Sequence, residues 1–116
     1  MKLRMDIEGT AITATLLDTA TSRDFASLLP LTLTLKDYAA TEKISDLPRR
    51  LSTEGAPPGS DPSIGDIAYY SPSQDLVLYY GDVGYWNGII PIGRLNAGFE
   101  MIEAQADGFE VRIELG

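Results

Sequence analysis

Apolar side chains return at every second position along most of this chain, and that spacing restricts its fold more than any other feature. Leu3, Met5 and Ile7 alternate with Arg4, Asp6 and Glu8. After a Glu8-Gly9-Thr10 turn the pattern resumes from Ala11 to Leu17, with threonines at 13 and 15. Leu31, Leu33 and Leu35 alternate with Thr32, Thr34 and Lys36, and further segments run over 66–70, 76–80, 89–95 and 109–115. Successive strand side chains point to opposite faces, so each segment turns one face to a core and the other to water. About seven short strands separated by turns predict a mainly β fold, either a closed barrel or a sandwich.

Two segments break the period. Thr21-Ser22-Arg23-Asp24 fits a capping box, a hydroxyl followed three residues later by a carboxylate. Phe25, Leu28 and Leu29 then share one face of a short helix, which Pro30 stops. This helix is expected to cover an open end of the barrel. A second helical turn is expected over Phe99–Ala104. Residues 52–65 carry three prolines and three glycines, a loop composition, and the strands beyond them are needed to complete the sheet.

At 116 residues, with 44% of them apolar, the chain suits one domain spanning 1–116. Nine basic against seventeen acidic side chains leave a net charge of −8, which repels phosphate backbones and argues against nucleic acid as a partner. No apolar run approaches the ~20 residues of a membrane helix, and no secretory leader is visible, so a cytoplasmic location without a membrane partner is the expectation. The chain has no cysteine and no histidine. Thiol catalysis, disulfides, a serine–histidine–aspartate triad and imidazole-bound zinc are thereby excluded. No metal or cofactor is expected.

The order of several motifs resembles the cyclophilin-like superfamily. Ile12–Leu17 followed by Ser22–Leu29 is similar to the cyclophilin strand and its capping helix, whose phenylalanine packs into the barrel. Gly65–Ser71 resembles a glycine-led strand that walls the proline site, and Tyr85-Trp86-Asn87-Gly88 a shortened Trp-x-x-Gly turn. Ile92–Ala104 and Val111–Leu115 are similar to the closing segments. Leu29–Thr34, Glu42–Pro48 and Gly65–Tyr70 resemble, more narrowly, the bacterial cyclophilin-like family, which also occurs fused behind flavodoxin-like domains. The resemblance implies a closed antiparallel cyclophilin-like β-barrel with one or two short capping helices, and a flavodoxin-like redox domain as a possible partner. The Phe-His-Arg motif of true prolyl isomerases is missing: the corresponding stretch reads Glu42-Lys43-Ile44-Ser45-Asp46-Leu47-Pro48-Arg49-Arg50. Their site histidine and their Gln-Phe-Phe strand are absent too, so isomerase activity does not carry over.

The residues themselves leave three readings open. Prolyl isomerisation crosses a barrier of ~18–20 kcal/mol without covalent chemistry, and needs an apolar pocket with a donor to the imide nitrogen. Arg49 or Arg50 would be that donor; the ordinary reading of the pair is a solvated loop or a salt bridge. The rings of Tyr70, Tyr79 and Trp86 suit a proline or a small planar ligand, with the plain alternative of barrel packing. One member of each pair, Tyr69/Tyr70 and Tyr79/Tyr80, is expected to point inward. Glu42, four residues before Asp46, is a ligand-binding candidate. Its carboxylate at a barrel mouth would serve as an acid or base or bind a cation, the ordinary reading being an exposed face. The rings are expected at one rim. The favoured reading is a module binding an extended, proline-containing peptide or a small ligand. A divergent isomerase and a structural or assembly domain are the alternatives.

Overall fold

The computed structural model describes all residues 1–116. Twelve elements follow one another: β1 (Lys2–Ile7), β2 (Thr10–Leu16), α1 (Ala20–Ala26), β3 (Leu31–Tyr38), β4 (Glu42–Asp46), β5 (Gly59–Ser60), β6 (Asp66–Tyr70), β7 (Asp75–Tyr79), β8 (Trp86–Asn87), β9 (Ile89–Leu95), α2 (Phe99–Glu103) and β10 (Phe109–Leu115). Eight strands close into an antiparallel barrel in the order β1-β10-β3-β4-β7-β6-β9-β2, and β1 pairs with β2 to seal it. The expected barrel is therefore present, and the sandwich is not.

Alternation explains most of the interior. Leu3, Met5, Ile7, Val111, Ile113, Leu33 and Leu35 are buried in one continuous core of 21 residues, while the residues between them face out. At the β2–β9 seam a Cβ on Gly93 would lie 2.6 Å from the Thr15 carbonyl oxygen. Only glycine lets these two backbones approach so closely.

Helix α1 starts two residues before the expected capping box. Thr19 is the N-cap, and its hydroxyl accepts from the Ser22 amide at 3.1 Å. Thr21 is buried instead and donates to the Ser52 carbonyl at 2.6 Å, while the Ser22 hydroxyl donates to the Ile92 carbonyl at 2.8 Å. Buried hydroxyls need partners, and these two find theirs in the Ser52 loop and β9 rather than at the helix end. Phe25 is fully buried in the barrel core, as expected of the covering helix. The helix itself ends at Ala26, ahead of Pro30. Helix α2 forms over Phe99–Glu103 with Ile102 buried.

Strand β4 has the reverse of the usual pattern. Lys43 and Ser45 face inward and are buried, while Ile44 faces outward. The Lys43 ammonium lies 3.3 Å from Asp37 Oδ1 and donates to the Gln105 carbonyl at 3.0 Å. It also sits 5.5 Å from the Tyr80 ring centre and 5.9 Å from that of Phe109. Four neighbours thus replace its water: one charge, one carbonyl and two ring faces. Of the first tyrosine pair Tyr69 lies in the core, and in the second the Tyr80 ring lies beside the inward Lys43. Tyr79 is buried on the outward face, and Tyr80, just past the strand, hydrogen-bonds Asp37.

Candidate functional site

Outside the barrel, a second apolar cluster of Ala68, Val77, Tyr79 and Ile89 lies buried against Ile44, Tyr70 and Val83. The register of β4, β7, β6 and β9 explains it. Across the wall run the rows Asp46–Asp75–Tyr70–Ile89 and Ile44–Val77–Ala68–Pro91. Glu42 pairs with Tyr79 beyond them. Side chains two residues apart share a face, so these rows make one continuous outer surface. Over it opens a groove of about 600 Å³, a volume suited to a small molecule.

The groove brings together Glu42, Tyr70, Tyr79 and Trp86 from four strands, β4, β6, β7 and β8. It lies on the barrel wall rather than at a rim, because the outward positions of β7 and β9 carry apolar side chains. Trp86 belongs to a two-residue strand, not a plain loop: the 52–65 segment contains β5, whose Ser60 pairs with Trp86. A Cβ at Gly59 would lie 2.4 Å from the Trp86 carbonyl oxygen, so glycine is required for the two backbones to approach there. The indole N–H donates to the Val83 carbonyl at 2.9 Å, which fixes the ring while leaving it 58% exposed. Tyr38, 59% exposed, also lines the groove.

Sequence reasoning passed over Tyr38, Ile44, Asp75, Val77 and Ile89, which line the groove as well. A signal for several of them exists. Leu76-Val77-Leu78-Tyr79 and Ile89-Ile90-Pro91-Ile92 are unbroken apolar runs, the pattern of strands covered on both faces. Asp75 opens β7 and is only 8% exposed. Its carboxylate accepts from the Ser73 hydroxyl at 2.6 Å.

Both carboxyls of the groove are pushed above their ordinary values. Burial is the main cause for Glu42. Burial also leads for Asp75, and the neighbouring Asp46 adds to it. Burial, then the charge of Glu42, raises the Tyr79 phenol, so Tyr79 stays a neutral hydroxyl across the physiological range. No group of three or more acidic side chains is placed to hold a metal ion.

Arg49 and Arg50 lie outside the groove lining. Arg49 grips Asp24 of α1 through two hydrogen bonds of 2.8 and 3.0 Å and also donates to Ser27, tying its loop to the helix. Arg50 donates to the Ser71 carbonyl at 3.0 Å. The bonds from Arg49 and from the Ser52 amide hold the Asp24 carboxyl down, from 3.8 to about 2. A depressed folded-state value contributes stability above the unfolded value, and that contribution is lost as pH falls through the folded one. Arg49→Ala is therefore expected to raise the Asp24 value toward the ordinary range and flatten the acid limb of stability between 3.8 and about 2. Carboxyl NMR titration with urea unfolding at each pH checks this; an unmoved Asp24 titration contradicts it.

Comparison with known proteins agrees with this architecture. A hypothetical protein from Archaeoglobus fulgidus, known from its solution structure, is 23% identical with a TM-score of 0.75, covering 100% of this chain and 95% of that one. McbB, solved in complex with tryptophan, is 13% identical with a TM-score of 0.68, covering 97% of this chain and 44% of McbB. No curated protein sequence matches. The profile of the cyclophilin-like family matches residues 5–114, nearly the whole barrel from β1 to β10. With that match over this fold, the chain belongs to the cyclophilin-like family.

Proposed function

We propose that the chain is a binding domain for a small, largely apolar ligand held in the outer-wall groove. One observation carries the reading: a buried apolar floor of Val77, Tyr79 and Ile89 is flanked by Tyr38 and Trp86, each more than half exposed. Large rings left in water beside a concave apolar surface cost free energy that an occupant recovers by covering them. Every floor strand is paired on both sides within the closed barrel, which leaves no edge for a peptide to join as a strand. A compact ligand therefore suits the groove better than an extended peptide.

Trp86 is the sole tryptophan, so its emission reports on the groove directly. Titration with a panel of small aromatic molecules, alongside short X-Pro peptides, is expected to shift that emission saturably with at least one small molecule. Amide resonances of Tyr70, Tyr79 and Ile89 are expected to move in parallel. Trp86→Ala, followed by NMR, is expected to weaken binding about tenfold. Flat emission and unmoved resonances across the panel at millimolar concentration contradict the proposal.

A further inference from the structure

Resting on the reading of this groove as a binding site, we infer that its ligand is an organic cation: an ammonium group carried on a flat apolar body. The lining contains two carboxylates, Glu42 and Asp75, and no lysine or arginine. Neither carboxylate forms a salt bridge in the structure. Of the cations on the surrounding strands, Lys36, the cross-strand neighbour of Ile44, is exposed and forms no salt bridge but lies outside the lining, and two others are committed. Lys43, next to Glu42 in sequence, points to the opposite face and pairs with Asp37. Arg94 pairs with Asp66, its cross-strand neighbour on β6.

Chemistry then separates the ligand classes. An anion would be desolvated beside two acidic side chains with no basic donor in the lining. A neutral ligand would cover both carboxylates without supplying an ion partner. An ammonium supplies that partner, and the faces of Tyr38, Tyr70, Tyr79 and Trp86 attract cations through their ring quadrupoles. The register spaces the acids. Asp75 and Glu42, the latter opposite Tyr79, lie four residues apart along the strands, about 13 Å at ~3.3 Å per residue. Ile44 and Val77 lie between them, so a flat body rests on the apolar middle with its ammonium toward one end.

Three probes with one ring and different charge test this: phenethylamine, N-acetylphenethylamine and 3-phenylpropanoate. They are titrated at neutral pH against Trp86 emission and amide shifts. The amine is expected to bind about tenfold more tightly than its amide, and the carboxylate to leave both signals unchanged. Glu42→Gln or Asp75→Asn is expected to bring the amine to the affinity of the amide, with the amide unaffected. Equal binding of amine and amide to the native chain, or tighter binding of the carboxylate, overturns the cation assignment and leaves the groove a binding site. An unchanged amine preference in both variants removes the two carboxylates from the assignment and overturns it as well. No response to any of the three probes overturns the cation assignment, while the groove reading falls only with a flat response across the wider panel.

Discussion

Phe25→Ala is expected to cost about 3–5 kcal/mol of folding free energy, a large share of the ~5–15 kcal/mol available to a domain of this size. Phe25 is fully buried, and it is the side chain by which α1 enters the barrel core. The barrel strands around it are held by their ladders and cannot collapse into the space it leaves. The cost therefore includes both the lost transfer of the ring and an unfilled cavity. Urea unfolding checks this, with the midpoint falling while the slope stays constant. Phe25→Leu is expected to lose less, since it keeps an apolar side chain in the space. A loss below about 1 kcal/mol for the alanine variant would mean that α1 is not seated in the core.

Lys43→Ala is expected to cost about 3 kcal/mol, the lower end of what breaking a buried ion pair from one side entails. The variant strips Asp37 of its counter-charge, leaves the Gln105 carbonyl without its donor, and empties space between the Tyr80 and Phe109 rings. Asp37 is 34% exposed, so water takes over part of the lost interaction and keeps the cost from the upper end. Lys43→Met is expected to restore much of the packing but none of the charge. The two variants together separate those contributions. The Asp37 carboxyl is held low first by the Tyr80 hydroxyl and then by Lys43. Both variants are therefore expected to raise its titration, and with it to reduce the stability lost on acidification. Tyr80, whose phenol burial and Asp37 push up to about 12, remains the donor throughout. An Asp37 titration identical in native and variant chains contradicts this account.

Strand β4 shows why some of the barrel was hard to read from the chain. Its inward positions hold Lys43 and Ser45, so its polarity is the inverse of what half-buried strands display. Only the cage around Lys43, assembled from β3, β10 and the residues after β7 and α2, makes an inward ammonium tolerable. The α1 boundary was misplaced for a related reason. Thr21 and Asp24 have capping chemistry, but distant partners, Ser52 and Arg49, compete for it and win. Local signals name what a side chain is able to bond, not which neighbour the fold will supply.

The groove divides in the same way. Glu42, Tyr70, Tyr79 and Trp86 were singled out by residue type, and the structure gathers all four, while Arg49 and Arg50 are used elsewhere. Asp75 and Tyr38 carried no local mark that would separate them from ordinary strand-end residues.

Two-residue periodicity, turn composition and the absence of cysteine and histidine determined by themselves a β fold and the chemistry closed to it. These are properties of residue type and spacing, which act over a few neighbours and are written along the chain. Strand order was decided in three dimensions, and with it the placing of β7 between β4 and β6, which turns an outer wall into a groove. The reason is that hydrogen-bonded neighbours in the barrel come from distant stretches of chain. The outer apolar side chains of β7 and β9 become a site only when those stretches meet.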